Sequence, residues 1–262
     1  LVRTPDTPER YRGFSGGLQA LWKQNERADW EASYAFDQYD KSEYRRLTKA
    51  DVRHYSNVQN SFRLVYNLRF GENDVLTLGT DYLHDYLYNK NLDGKTRKQD
   101  AFDAFAQYDW NIRKNLELVG ALRYDYFSDH HFSHLTPKVS LRYEPLAYMN
   151  LRLGYGMGFR APTLKEKYYE FDMAGIWVVV GNPNLKAEVS HNFNLSAEYA
   201  RRGYSFILNG YYNHITNKIA TGAPYLAHPT DPIPHLSYIN LAAHSVVGME
   251  AAVQGHWRNG LT

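Results

Sequence analysis

Apolar and polar residues alternate with a period of two along most of this chain, and this pattern limits the fold more than any other feature. The clearest unit runs from Gln99 to Ser128. One face of its first half carries Phe102, Ala104, Ala106, Tyr108 and Trp110, and after a polar turn at residues 113–115 the alternation resumes with Leu116, Leu118, Leu122, Tyr124 and Tyr126. Successive side chains of a β-strand point to opposite faces of a sheet, so the pattern predicts a hairpin with one apolar and one charged face.

The same unit recurs along the chain and predicts about eleven strands, the last around residues 247–257. Short turns alternate with long connections, which are expected at residues 41–56, 90–98, 128–135, 158–190 and 216–238. A soluble β-sandwich gives no reason for long and short connections to lie at opposite ends. A membrane barrel has short turns at one end and long outer loops at the other. The sequence therefore favours an all-β, antiparallel transmembrane β-barrel.

Composition agrees with a membrane barrel and argues against several other classes. The chain has 262 residues with 23 Tyr, 12 Phe and 5 Trp, and Tyr and Trp suit a membrane interface as well as a ligand-binding surface. A formal charge of +2 is too balanced to indicate a nucleic-acid partner, and no apolar run is long enough for a spanning helix. Because no G-x-S-x-G motif, carboxylate pair or metal-ligand spacing stands out, we expect no enzyme, cofactor or resident metal.

A barrel in a membrane must close, since an open edge leaves backbone groups unpaired in hydrocarbon. We therefore expect residues 1–262 to form part of one barrel domain that needs further strands. The alternation predicts which side chains face lipid: Phe102, Tyr108, Trp110, Leu118, Leu122, Leu153, Leu195 and Phe206. The side chains expected to face the lumen include Asp103, Arg123, Arg142, Arg152 and Glu198.

The alternation stops between Gly156 and Glu188, in GMGFRAPTLKEKYYEFDMAGIWVVVGNPNLKAE. Pro162 cannot donate a ladder hydrogen bond, and Thr163 with Glu166 matches a helix capping box, so a short helix is expected over residues 164–171. The GNPN sequence at residues 181–184 predicts a turn that returns the chain to the next strand. The stretch thus reads as one of the long outer loops.

The ordered series GFRAPTLKEKYYEF, GNPNLKAEVSHNFNLSAEY and YYNHITNKI resembles the FRAP and NPNL boxes of TonB-dependent outer-membrane receptors, over nearly the whole chain. The boxes correspond to Phe159, Arg160, Ala161 and Pro162, and to Asn182, Pro183, Asn184 and Leu185. The resemblance implies a 22-stranded barrel in the bacterial outer membrane, around an N-terminal plug domain, with transport driven by TonB. The plug, the TonB box and the remaining strands are then expected outside residues 1–262.

The resemblance also implies active uptake of an iron chelate, haem or cobalamin. Haem receptors of this family carry a His between the two boxes, whereas residues 163–181 contain none. Candidate ligand contacts are the aromatic residues Tyr168, Tyr169, Phe171 and Trp177, with His131 and His228 from other loops. Such side chains also occur as loop packing, girdle or solvated residues without any ligand. Two alternatives stay open, a receptor of the same family that imports oligosaccharides and a passive porin-like barrel.

Overall fold

The computed structural model describes residues 8–71, 73–92, 94–173, 175–230 and 232–255. Over these residues thirteen strands form one sheet. Their bounds are β1 Glu9–Lys23, β2 Ala28–Arg45, β3 Ala50–Phe70, β4 Asp74–Asn89, β5 Thr96–Arg113, β6 Leu116–Phe127, β7 Phe132–Leu146, β8 Met149–Arg160, β9 Glu170–Met173, β10 Trp177–Val180, β11 Glu188–Arg201, β12 Tyr204–Thr221 and β13 His235–Gly255. A 3₁₀ turn, Asp129–His131, precedes β7, and one α-helix, α1, spans Leu164–Tyr168.

The predicted all-β architecture is confirmed, with eleven long strands and two short ones that the sequence did not reveal. The long strands pair antiparallel in chain order from β1 to β8 and then through β11, β12 and β13. The additional strands, β9 and β10, lie within the connection that interrupts the alternation. β10 pairs in parallel with the start of β13, where Val178 lies opposite His235. This connection is therefore hydrogen-bonded to the sheet through β10.

The predicted long connections are shorter than expected, above all those at residues 41–56 and 216–238. β2 and β3 remain paired as far as Arg45 opposite Ala50, so residues 41–56 are mostly strand. Likewise β12 continues to Thr221 and β13 begins at His235. The extended part of the β2–β3 ladder is mostly polar, as at Lys41, Ser42 and Glu43, and hydropathy alternation does not reveal such a strand. The end of the last predicted strand, at Trp257, lies outside the described residues.

The two faces of the sheet differ sharply in chemistry. Residues that pair directly across β1 to β6 form one apolar row on one face of the sheet. The row consists of Leu18, Tyr34, Phe62, Tyr82, Phe102 and Tyr126. The residues next to them on β2 to β6 point to the opposite face and form a polar row. This row consists of Ser33, Arg63, Asp81, Asp103 and Asp125. Leu18 is 78 % exposed and Phe102 is 47 % exposed. An exposed apolar face on a single sheet fits a barrel wall in lipid and excludes a two-sheet sandwich.

The polar face is stabilised by ion pairs among its own side chains. Arg123 lies 2.8 Å from Asp103 and 2.9 Å from Asp125, and its second terminal nitrogen lies 3.4 Å from Asp81. Arg142 on β7 pairs with Glu117 of β6 at 3.0 Å. These contacts confirm the predicted placement of Asp103, Arg123 and Arg142 on the face opposite Phe102.

Among the described residues only a few apolar side chains are fully buried, and several of them belong to the connection between β8 and β11. Leu164, Val179 and Leu185 are at most 7 % exposed, and Leu87 of β4 is 1 % exposed. α1 lies against β4 and β5, four and three strands away from β8. The connection therefore folds back across the sheet and builds a small core there. No helix among the described residues is long and apolar enough to cross a membrane.

Candidate functional site

Helix α1 begins directly after the FRAP residues and is fixed by its N-terminal cap. The Thr163 hydroxyl accepts a hydrogen bond from the Glu166 backbone N–H at 3.1 Å, and the Glu166 carboxylate accepts one from the Thr163 N–H at 2.9 Å. The predicted capping box is thus confirmed. The helix is shorter than expected, because Tyr169 is extended and Glu170 enters the β9–β10 ladder.

Arg160 joins three parts of the chain at the end of β8. One terminal nitrogen donates to both carboxylate oxygens of Glu166 at 3.0 Å, and the other donates to Glu188 at 2.8 Å. Arg160 lies opposite Glu188 in the β8–β11 ladder, and the Glu188 carboxylate also accepts from the Ile219 N–H of β12 at 2.6 Å. The arginine of the FRAP box therefore clamps α1 to two further strands.

Asn182, the first residue of the NPNL box, serves as the matching anchor. Its side-chain amide donates to the Tyr238 carbonyl at 2.8 Å, and its backbone N–H donates to the Glu166 carbonyl at 2.9 Å. Gly181 before it approaches α1 so closely that an added Cβ would lie 2.7 Å from the Lys167 carbonyl carbon and oxygen. Only glycine permits this approach without displacing the backbone.

The two boxes border one cavity of about 530 Å³. Its lining includes Ala161, Pro162, Pro183, Asn184 and Leu185. Phe159 stacks on the ring of His134 at 4.5 Å and on that of Phe132 at 5.3 Å, and both of those residues also line the cavity. The FRAP and NPNL residues lie near adjoining ends of the neighbouring strands β8 and β11, and they line a shared space.

A buried ion pair also borders this cavity and was missed by the sequence reasoning. The Lys167 ammonium, on a residue only 5 % exposed, pairs with the Asp129 carboxylate of the 3₁₀ turn before β7. Burial of a charge is costly unless an opposite charge compensates it. The pair therefore fixes the position of α1 relative to the β6–β7 connection, and no local motif in the sequence signals it.

The aromatic candidates between the boxes separate into different environments. Tyr168 donates a hydrogen bond to Asp129 at 3.2 Å and lies under the Arg97 guanidinium, 5.1 Å from the ring centre. The ring of Tyr169 stacks on that of Phe171 at 5.1 Å and packs against that of Tyr55 of β3 at 4.8 Å, with the two tyrosine rings tilted by 59°. Trp177 begins β10 and lies opposite Met173 of β9.

Tyr169 and Phe171 line a second cavity of about 640 Å³. The opposite wall of this second cavity comes from the ends of β1 to β4 and the start of the next connection, with Glu9, Tyr11, Lys41, His54, Asn89, Lys90 and Asn91. Two of these residues, Lys41 and His54, lie within residues 41–56, which the sequence pattern predicts to be a loop. Only the pairing of β2 with β3 places Lys41 opposite Tyr55.

The two candidate histidines lie on other connections. His131 has a positive φ of 49° in the 3₁₀ turn, and its Nδ1 lies 3.0 Å from the Tyr126 hydroxyl. His228 is exposed in the connection between β12 and β13. The side chain of His130, in the same sequence cluster as His131, lies outside the described part of the chain. Within that part, no three His, Asp or Glu residues are close enough together to hold a metal ion.

Burial changes what the two tyrosines can do chemically. It raises the pKa of the Tyr168 phenol, which Asp129 raises further, and it also raises the pKa of the Tyr169 phenol. Both side chains therefore stay protonated at neutral pH. A protonated phenol can stack on a ring and donate a hydrogen bond.

Comparison with known proteins gives one family match and several distant relatives. The family model described as TonB dependent receptor-like, beta-barrel, matches residues 3–262. The vitamin B12 transporter BtuB of Photobacterium profundum is 26 % identical over 201 residues, which are 76 % of this chain and 30 % of that protein. The hemoglobin and hemoglobin-haptoglobin-binding protein B of Haemophilus influenzae is 29 % identical over 140 residues, 53 % of this chain and 12 % of that protein.

The fold has close counterparts among solved structures. The siderophore receptor PirA of Pseudomonas aeruginosa superposes with a TM-score of 0.68 at 21 % identity, over 93 % of this chain and 53 % of that one. At this identity the likeness concerns the fold alone. The chain spans about half the length of this structure and less than a third of the curated relatives named above.

Proposed function

Because the chain belongs to the TonB-dependent receptor β-barrel family of outer-membrane proteins, we propose that it forms part of a receptor for active uptake of a metal chelate. The ligand classes that we propose are ferric siderophores, haem and cobalamin. Its relatives are transporters and receptors rather than enzymes. The family match favours a TonB-driven receptor over a passive porin-like barrel.

The main support for the proposal is the position of the connection between β8 and β11, which folds back over the polar face of the sheet. Tyr169 and Phe171 lie over the polar face of the sheet and border a cavity there, while Arg160 and Asn182 anchor the two ends of the connection. A receptor for a chelate needs a concave site with aromatic surfaces and a few polar groups. This arrangement supports a ligand site at the loop end of the barrel wall.

We propose that the plug domain and TonB act through parts of the receptor beyond residues 1–262. The polar face supports a partner inside the barrel, because the Oδ1 atoms of Asp81 and Asp103 are buried and have no hydrogen-bond partner among the described residues. Buried carboxylate oxygens normally accept hydrogen bonds. A plug domain inside the lumen would supply donors to them.

Within this class, the aromatic residues favour stacking on a ligand over coordination of its metal. The names of the relatives described above refer to vitamin B12, to hemoglobin and to a siderophore. They therefore do not select one ligand class for this chain. Tyr169 and Phe171 already stack on each other beside the second cavity, which presents a flat aromatic surface there. We therefore assign Tyr169 and Phe171 to packing against a chelate, and we keep Tyr168, Trp177, His131 and His228 as candidate contacts of the same ligand.

The test is a titration of the purified full-length receptor with hemin, with cobalamin and with ferric siderophores, followed by absorbance and Trp fluorescence. We expect one ligand to bind with a Kd of about 1 μM or below. A Tyr169→Ala/Phe171→Ala receptor should lose at least tenfold in affinity for that ligand, whereas Ile176→Ala, an exposed residue of the same connection, should not. Binding of oligosaccharides alone would refute the chelate assignment.

A further inference from the structure

The outward, apolar face of the sheet carries two rows of paired residues that lie one membrane thickness apart. The first row is near the short turns and consists of Trp22, Trp30 and Tyr66. The second row is nearer the loop end, ten residues away on each of these strands, and consists of Arg12, Asp40 and Ser56. Ten residues of a tilted strand cover about 25 Å, which is the height of the lipid-facing band of a barrel. The second row therefore lies at the level of the outer lipid headgroups.

Basic side chains occupy the outward face at this second row and next to it. We call them the outer basic belt, which consists of Arg10, Arg12, Arg53 and Lys98. Arg10 is two residues beyond Arg12 on β1, and Arg53 of β3 pairs with Ser42 of β2. Lys98 of β5 pairs with Tyr86 of β4 on the membrane side of the row, and a long side chain can extend its ammonium from there to the headgroups. The belt therefore follows the loop end of the wall from β1 to β5.

Two carboxylates orient the arginines of the belt. Arg10 lies 3.5 Å from the Asp51 carboxylate, which also pairs with Arg12, and Arg53 lies 3.6 Å from Asp40. The Arg53 side chain is 57 % exposed although strands flank β3 on both sides. A guanidinium has five N–H donors, and one carboxylate engages at most two of them. The arginines therefore keep donors for a further acceptor.

This part of the outward surface has a surplus of positive charge. Lys98 is exposed, and Asp100, two residues along on the same face, lies 2.7 Å from His84. The turn between β2 and β3, at residues 46–49, adds Arg46 and Lys49 and contains no acidic residue. The six basic residues of the belt and the turn are balanced by only three carboxylates, those of Asp40, Asp51 and Asp100. The chemistry that complements this surface is therefore anionic.

On its membrane side the belt borders an apolar surface. Phe14, two residues from Arg12 on β1, is 68 % exposed, and its ring lies 5.8 Å from that of Phe36 on β2. A partner that covers both regions needs an anionic group joined to apolar chains. An acidic lipid has this chemistry, whereas a free anion or a soluble protein would contact the belt alone.

We propose that the outer basic belt binds the phosphate groups of acidic lipids at the outer surface of the membrane. The planar donors of arginine match two phosphate oxygens at once, and lysine adds a point charge. Arg10 and Arg12 alternate with Glu9 and Tyr11, which line the second cavity on the other face of the sheet. The inference therefore depends on which face of the wall meets the membrane, and it does not depend on the transported ligand.

The test is a titration of the purified full-length receptor in nonionic detergent, with bound lipid counted by native mass spectrometry. The probes are diphosphoryl lipid A, an acidic lipid, and phosphatidylcholine, whose headgroup has no net charge. We expect diphosphoryl lipid A to bind at least tenfold more tightly, and added salt should reduce this difference because it screens exposed charges. Arg12→Gln/Arg53→Gln/Lys98→Gln should lower the affinity for diphosphoryl lipid A at least tenfold. Unchanged binding of phosphatidylcholine shows that this variant is folded.

Two matched variants separate charge in the belt from charge elsewhere. Arg113→Gln/Lys114→Gln/Arg202→Gln removes the same charges from exposed residues at the short turns and should leave binding of diphosphoryl lipid A intact. Arg12→Lys/Arg53→Lys/Lys98→Arg keeps the charges of the belt and should retain most of the affinity. Equal binding of the two lipids, or an equal loss from the short-turn variant, would overturn the proposal. The titration contains no chelate, so its result is separate from that of the chelate titration.

Discussion

The ring of Tyr169 lies 4.8 Å from the ring of Tyr55, and this contact joins the connection between the two sequence boxes to the third strand of the sheet. The connection starts at the end of β8, five strands away from β3. It therefore crosses part of the polar face instead of extending away from the barrel wall. Every proposal above about ligand binding depends on this position.

The first prediction concerns the membrane face of the wall. Leu122 is 46 % exposed on the apolar face, and Ala121 beside it points to the polar face. Leu122→Arg should lower the free energy of unfolding in lipid vesicles by about 2–4 kcal/mol if the site lies near the bilayer midplane. Ala121→Arg should cost less, since it adds the same charge to the lumen side. Equal costs at the two positions would contradict the assignment of the faces.

The second prediction concerns the Arg160 clamp. Arg160→Gln removes the pairs with Glu166 and Glu188, and because the arginine is partly exposed we expect a loss of about 1 kcal/mol in local stability. Amide hydrogen exchange in α1 and at the start of β11 should become faster. Arg113→Gln, an exposed arginine at the opposite end of the wall, is the control. Unchanged exchange in the Arg160 variant would show that the clamp does not hold the connection.

A third prediction follows from the close approach of Gly181 to α1. Gly181→Ala places a Cβ 2.7 Å from the Lys167 carbonyl, so the connection must shift, and we expect a cost of about 1–3 kcal/mol. Limited proteolysis should then cut within residues 161–187 more rapidly than in the natural receptor. Gly154→Ala in β8, where an added Cβ meets nothing within 4 Å, should leave the cleavage rate unchanged.

The fourth prediction concerns the buried pair of Lys167 and Asp129. Asp129→Asn removes the charge that compensates the buried ammonium, and we expect a destabilisation of about 3–5 kcal/mol. Lys167→Met combined with Asp129→Asn should recover much of that loss, because no buried charge remains. The measurement is a double-mutant cycle of unfolding free energies. A double variant less stable than Asp129→Asn alone would argue against this electrostatic explanation.

Local patterns in the sequence predicted a large part of this structure. The strand faces follow from alternation, as with Phe102 and Asp103, and the cap of α1 follows from Thr163 and Glu166. Such features depend on residues only one to three positions apart. The extension of β2 and β3 could not be predicted because its residues are mostly polar and do not alternate regularly.

The position of the connection could not be predicted from the sequence. It depends on contacts between residues far apart in the chain, such as Tyr55 with Tyr169 and Lys167 with Asp129. The candidate ligand residues were chosen by residue type, and type alone does not reveal that Tyr169 and Phe171 share a cavity while His131 and His228 lie on other connections. Their roles in binding a ligand stay predictions.

The most direct test of the account is uptake of a radiolabelled metal chelate by cells that express the full-length receptor, with and without a functional TonB. The chelate is the one that binds in the titration. We predict uptake that requires TonB and that falls at least tenfold in the Tyr169→Ala/Phe171→Ala receptor, with Ile176→Ala as the unaffected control. Equal uptake in cells with and without TonB would contradict the account and indicate a passive pore.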